Sequence, residues 1–242
     1  MPEVKVMLYN MHHGVGSDGK PNLERIVDLV RETGADLIGF NEVDRFFSRR
    51  SGYADQFGWF CEQLQLQCAF GASITRKKGD VIREYGNALF SRFPILSHRN
   101  HGLRSRRLAV SEPRALLEAE IDLGNTGTAK IFLTHLSVVP LLRRIQSSLI
   151  AERLKRESGS VILMGDMNMT PGSGTWRGFS EILTDTVRAV RDTPLFTFPS
   201  IVPLTQKDYI FTSSSIRIEN VAALSDYRYT SDHLPLLATL RL

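Results

Sequence analysis

The apolar positions of the chain repeat with two different periods. Val4 to Tyr9 is an unbroken run of strand formers. Leu23, Ile26, Val27 and Val30 then recur at helical spacing, and Gly34 stands where a helix-terminating glycine belongs. Leu37 to Phe40 is a second short apolar run. Phe57, Phe60, Cys61 and Leu64 return to helical spacing. The middle of the chain predicts short strands at Ala88–Phe90, Ala115–Ile121 and Lys130–Leu133, with turn residues Gly124-Asn125-Thr126-Gly127 between the last two. A helix is predicted from Val139 to Arg156 through Leu142, Ile145 and Leu149, followed by a buried-type strand at Val161–Met164. Further strands are predicted at Tyr209–Phe211, Ile216–Leu224 and Leu236–Leu240. Strands outnumber helices and helices separate some of them, which gives a mixed α/β layered domain.

Composition changes this picture little. The 242 residues show no repeat, low-complexity tract or linker, so a single domain over 1–242 is expected. A chain of this length buries enough surface to need no disulfide. Cys61 and Cys68 match no zinc spacing and fit a reducing compartment, and Cys61 falls on the apolar face of its helix. The start shows no signal-peptide pattern and no stretch is long and apolar enough to span a membrane, so a cytoplasmic protein with no integral membrane segment is expected. The formal net charge of +4 favours anionic substrates without choosing among them.

The polar residues of interest stand at the ends of the apolar runs. Asn10 follows the first and Glu42 the second. His135 follows Ile131–Thr134, and Asp166 and Asn168 follow Val161–Met164. Asp208 precedes Tyr209–Phe211, and Asp232-His233 precede the last strand. Each alone reads as a turn residue or cap. As a set on neighbouring strands they would share one rim, where sites are built. Carboxylates and amides with two histidines make a hard-oxygen donor set, which suits Mg²⁺ or Mn²⁺ better than zinc.

Eight segments, in order, resemble the endonuclease/exonuclease/phosphatase superfamily, which includes DNase I-like nucleases, AP endonucleases, inositol-polyphosphate phosphatases and sphingomyelinases. They are Tyr9-Asn10-Met11-His12, Phe40-Asn41-Glu42-Val43, Tyr85 to Ile95, Glu112-Pro113-Arg114-Ala115, Thr134-His135-Leu136-Ser137, Gly165-Asp166-Met167-Asn168, Lys207 to Phe211 and Ser231 to Pro235. The resemblance implies a four-layer α/β/β/α sandwich of two packed mixed sheets flanked by helices, with the site at one end. It implies Glu42 as principal metal ligand, supported by Asn10 and by Asp232 directly or through water. Asp166 and Asn168 would position the nucleophile and a phosphate oxygen. His233 would contact the phosphate or activate water, oriented by Asp208, and His135 resembles a second histidine of some branches. Arg114 is a candidate phosphate clamp, since a guanidinium matches two phosphate oxygens. Two positions depart from the common pattern, Asn41 for Gln and Lys207 for an apolar residue, and neither is expected to touch a catalytic group.

The expected activity is hydrolysis of a phosphate ester, most directly a phosphodiester, by a metal-dependent phosphoesterase using a His/Asp-activated water. The substrate would be a nucleic acid, a nucleotide or a phospholipid headgroup. Arg99, Arg104, Arg106 and Arg107 form a basic loop that could contact phosphates or simply face water. The Glu42-Val43-Asp44-Arg45, Arg49 to Gly52 and Asp55-Gln56 stretch resembles compact bacterial members, and reads equally well as a solvated charged loop. The alternative of another class is a catalytically inactive phosphate-ligand binding protein on the same fold. It predicts loss of Glu42, Asp166 or His233, and all three are present.

Overall fold

In the computed structural model, which describes residues 3–103 and 112–242, side-chain alternation in β1 (Glu3–Asn10) sets the layers. Val4, Val6 and Leu8 point into the space between two sheets, while Met7 and Tyr9 point to a helical layer. Strands buried on both faces read as continuous apolar runs, which is why this one was legible. The chain continues through α1 (Glu24–Thr33), β2 (Leu37–Arg45), α2 (Gln56–Leu64), β3 (Gln67–Lys78) and β4 (Val81–Ser91). It then forms β5 (Ile95–Gly102), β6 (Ala115–Asp122), β7 (Thr128–His135), α3 (Pro140–Leu154) and β8 (Ser160–Asp166). The last part comprises α4 (Gly174–Ser180), β9 (Thr184–Asp185), α5 (Thr186–Val190), β10 (Asp208–Thr212), β11 (Arg217–Ala223) and β12 (Leu236–Arg241).

Two six-stranded mixed sheets result, ordered β11-β12-β1-β2-β4-β3 and β5-β6-β7-β8-β10-β9. Leu8, Leu133, Ile162, Met164 and Ile210 fill the space between them. Helices α1 and α2 cover the outer face of the first sheet with Ile26, Val30 and Phe60. Helices α3 and α4 cover that of the second with Ile150, Leu154 and Phe179. This is the four-layer α/β/β/α sandwich.

Strands β3 and β5, each at a sheet edge, went unread in the sequence. Nearly every residue of β5, Arg99 included, faces solvent, so no apolar pattern marks it. Arg104, Arg106 and Arg107 lie outside the described residues. The α3 stripe is rotated from the predicted one. Leu142, Gln146, Ile150 and Leu154 are buried, while Leu149 is 46% exposed. Gln146 turns inward because its Oε1 accepts the Ser137 N–H at 2.9 Å. The expectation of free cysteines in a reducing compartment is overturned. Cys61 at the end of α2 and Cys68 in β3 form a disulfide. No helix among the described residues is long and apolar enough to cross a membrane.

Close approach of backbones fixes one residue next to the site. Gly165 pairs with Thr134 across β7 and β8, and a Cβ there would run into the Thr134 carbonyl oxygen. Gly165→Ala is therefore expected to cost at least about 2 kcal/mol of folding stability by urea unfolding. A change below about 0.5 kcal/mol would show that the two strands have slack.

Candidate functional site

Strand register brings the polar strand ends together. In the second sheet His135 pairs with Asp166 across β7 and β8, and Asp166 with Asp208 across β8 and β10. In the first sheet Asn10 lies beside Asn41. The Asn41 amide joins the sheets: Nδ2 donates to Asn87 Oδ1 at 2.8 Å and Thr134 O at 3.1 Å, and Oδ1 accepts the Asp166 N–H at 2.8 Å. Asn10 makes a second tie, its Nδ2 donating to Glu42 Oε1 at 3.2 Å and Asp166 Oδ2 at 3.0 Å.

Glu42 sits in a β-bulge between Phe40 and Val43 with φ 66°. Phe40 and Val43 both pack toward the helices, so the extra residue sends Glu42 out of the strand's alternation. A glutamate in left-handed backbone is strained, and such strain collects at functional sites. Burial alone would raise the Glu42 carboxyl. The nearby His13 ring and the hydrogen bond from Asn10 outweigh it and hold the group far below the usual carboxylate range.

The two histidines carry opposite charge states. His233 Nδ1 is 2.8 Å from Asp208 Oδ2, and its Nε2 is 3.7 Å from Asp166 Oδ2. Burial works against the imidazolium, but Asp208 and Asp166 push His233 up to about 10. His135 Nε2 lies 3.2 Å from Asn168 Nδ2 and 3.4 Å from Asp166 Oδ2. Burial first, and Arg114 beside it, hold this ring well below the usual histidine range and therefore neutral. Burial, with Asp208 adding to it, moves the Asp166 carboxyl up to about 6, against the opposing charge of His233.

Asn10, Glu42, Arg114, His135, Asp166, Asn168 and His233 all line one cavity of about 530 Å³. Asp208 stands behind His233, fully buried. Asp232 does not line the cavity. It is half-exposed, with its Oδ1 3.9 Å from His12 Nδ1. Arg114 is 6% exposed, and among the described residues its Nε and Nη1 have no hydrogen-bond partner.

Both departures from the family pattern touch the site, contrary to expectation. Asn41 positions the Asp166 backbone. Lys207 lines the cavity, donates from Nζ to Asn168 Oδ1 at 3.2 Å and lies over the Phe198 ring. His13 was also missed: its Nδ1 is 3.8 Å from Glu42 Oε2, buried and without a hydrogen bond. The available signal was its place just after Asn10, at the end of a strand.

The sequence model of the endonuclease/exonuclease/phosphatase family matches residues 7–233. The chain belongs to that family. Solved structures agree on the fold. An endonuclease/exonuclease/phosphatase from Beutenbergia cavernae superposes with a TM-score of 0.80 at 22% identity, over 99% of this chain and 72% of that one. A mannosyl-6-phosphatase from Bacteroides thetaiotaomicron gives 0.81 at 20%, over 99% of this chain and 100% of the other. The human Nocturnin catalytic domain with bound sulfate gives 0.77 at 18%, over 99% and 94%.

A divalent cation, typical of endonuclease/exonuclease/phosphatase enzymes, can be tested against these residues. Asp166, Asp208 and His233 offer donors within 4.8 Å of one another. Yet His233 Nδ1 and Asp208 Oδ2 are already spent on each other. The ionised Glu42 carboxylate, with Asn10 on one oxygen and the unpartnered His13 Nδ1 near the other, is the better-placed hard ligand.

The charge on His233 has a measurable consequence. The ring titrates at about 10 when folded, against 6.5 when free. Its stabilisation is thus complete below pH 6.5 and is lost as the pH rises toward 10. Asp166, raised from 3.8 to about 6, acts with the same sign in a lower window. Chemical denaturation should show wild type losing more stability than His233→Gln as the pH rises from 6.5 to 10. Parallel profiles would mean that the ring is neutral in the fold.

Proposed function

We propose that the protein is a divalent-metal-dependent hydrolase of phosphate esters. The observation that carries this is the convergence on one cavity of an ionised Glu42, a carboxylate-held His233 and the buried Arg114 guanidinium. The hydrolytic names of fold relatives, a mannosyl-6-phosphatase among them, support the class. Mg²⁺ or Mn²⁺ held by Glu42 with Asn10, and by Asp232 directly or through water, would supply charge neutralisation on the phosphoryl oxygens.

The remaining chemistry comes from the side chains. Arg114 lines the cavity beside Glu112, which lies 3.6 Å from its Nη1, and its guanidinium is the group to pair with phosphate oxygens. His233, charged and fixed by Asp208, is suited to stabilise charge developing on a phosphoryl oxygen rather than to take a proton from water. Asp166, its carboxyl raised by burial and held by Asn10, is placed to act as a general base. Asn168, tied to the Leu136 carbonyl and Lys207, orients a phosphate oxygen or the nucleophile. Neutral His135 acts as a hydrogen-bonding partner rather than a cation. The phosphodiester expectation is separated from a monoester preference by comparing bis-p-nitrophenyl phosphate with p-nitrophenyl phosphate.

Glu42→Ala should fold, bind Mg²⁺ more weakly by calorimetry and lose about a hundredfold or more in kcat. Activity within a few-fold of wild type at saturating Mg²⁺ would remove Glu42 as the metal ligand.

His233 and Asp208 should behave as one unit. His233→Ala is expected to lower kcat/KM by about a thousandfold or more, and Asp208→Asn by less. The double variant should be little worse than His233→Ala alone, because Asp208 then has no ring to orient. Strict additivity in this cycle would make Asp208 a purely structural residue.

A further inference from the structure

Part of the cavity wall does not belong to the strand ends just described. Phe47, Arg50, Arg76 and Tyr85 line the same cavity as Glu42 and Arg114. They come from the charged stretch that the sequence left open between a solvated loop and a family feature, and from the β3–β4 hairpin. The structure shows Arg50 held on several sides. Its Nε and Nη2 donate to Asp44 Oδ2 and Oδ1 at 3.1 and 2.7 Å. Asp44 has no exposed surface, and Ser51 Oγ donates to its Oδ2 at 2.7 Å. The Arg50 guanidinium carbon lies 5.3 Å from the Phe47 ring centre and 5.0 Å from that of Tyr85. The Arg76 guanidinium lies over Phe47 at 5.2 Å.

A solvated arginine does not need two rings and a buried carboxylate. This arrangement restricts the guanidinium before any ligand arrives, which lowers the ordering cost of binding. Asp44 engages two of the five guanidinium N–H groups, so others remain to be donated. Asp44 also offsets the Arg50 charge, so Arg50 serves as an aimed donor. Arg76 is exposed and in no ion pair among the described residues, so it supplies the net positive charge.

We propose that Arg50 and Arg76, seated on Phe47 and Tyr85, form a second anion-binding wall. It selects phosphate esters that carry another anionic group, a phosphate or a carboxylate, over esters with one charged group. The inference rests on the phosphoesterase reading of the same cavity and deepens it. Arg114 and His233 would take the reacting phosphoryl group, and the wall would take the remote anion.

The test compares pairs of esters that differ by one anionic group: a hexose bisphosphate with the hexose monophosphate, a nucleoside bisphosphate with the nucleoside monophosphate, and phosphoglycerate with glycerol phosphate. The first two pairs report a second phosphate and the third a carboxylate. Wild type should prefer the doubly anionic member of at least one pair. In Arg76→Ala and Arg50→Lys the ratio of kcat/KM within that pair should fall about tenfold or more, mainly through KM. Arg50→Lys keeps a cation for Asp44 but loses the fork, and Arg76→Ala alters an exposed residue, so at least one variant folds. A ratio within twofold of wild type in a folded variant, or a wild type indifferent to the second group, overturns the wall. Calorimetric binding of the same pairs to wild type and Arg76→Ala needs no turnover. If no ester is hydrolysed yet the doubly anionic member binds about tenfold tighter, and Arg76→Ala abolishes that margin, the wall stands and the phosphoesterase reading falls.

Discussion

The buried amide of Asn41 is the connection on which the site depends. Two sheets packed face to face have no backbone hydrogen bonds between them, and apolar packing alone allows them to slide. Asn41, on the first sheet, reaches the Thr134 carbonyl and the Asp166 N–H on the second. Asn87 completes the tie by accepting from Asn41 and donating to the Ala115 carbonyl at 3.3 Å. These carbonyls and N–H groups lie next to Arg114, His135 and Asp166. This amide pair, together with Asn10, ties the sheet that carries Glu42 to the sheet that carries the remaining acids and histidines. Such groups, buried and satisfied, are costly to disturb, because removing one leaves several unpaired.

The tie also explains how opposite charge states coexist in a small volume. Asp166 lies within 4 Å of both rings, at 3.4 Å from His135 and 3.7 Å from His233. Only His233 has a second carboxylate, Asp208, in direct hydrogen-bond contact. His135 is instead kept neutral by its burial, with Arg114 as a charged neighbour adding to it. Environments that push like groups apart are how one site assigns different roles to the same side-chain type. Here the sorting follows from strand order: β10 brings Asp208 to one side of β8, and β7 brings His135 to the other.

Much of this was legible in the sequence, for a physical reason. Central strands are apolar on both faces, so β1, β2, β7 and β8 announced themselves, and the polar residue closing each run marked the site. The edge strands β3 and β5 lack that signal. The α3 stripe was misplaced because a buried Gln146 looks polar in sequence and is internal in the fold. Asn41 and Lys207 were passed over because sequence position shows which residues flank a motif and not where their side chains reach. The Cys61–Cys68 pairing depends on an edge strand folding back beside α2, which periodicity did not reveal.

The charged stretch from Asp44 to Gln56 shows where sequence reasoning runs out most sharply. A run of arginines and acids fits a solvated loop until it is known which acid is buried. Asp44 follows Glu42 by two residues in β2, and the bulge that turns Glu42 into the cavity also sets the register at which Asp44 is buried. Gln56 then fixes the Asp44 backbone, its Oε1 accepting the N–H at 3.0 Å, while its Nε2 donates to the His13 carbonyl at 2.7 Å. The bulge therefore does two things: it places the carboxylate proposed to bind metal, and it places the carboxylate that anchors Arg50. The proposed reaction centre and the proposed outer wall share one backbone irregularity but use separate side chains. Changes at Arg76 or Phe47 can retune the wall while the strand-end register that holds Glu42, Asp166 and His233 stays intact, which is how one fold serves many phosphate esters.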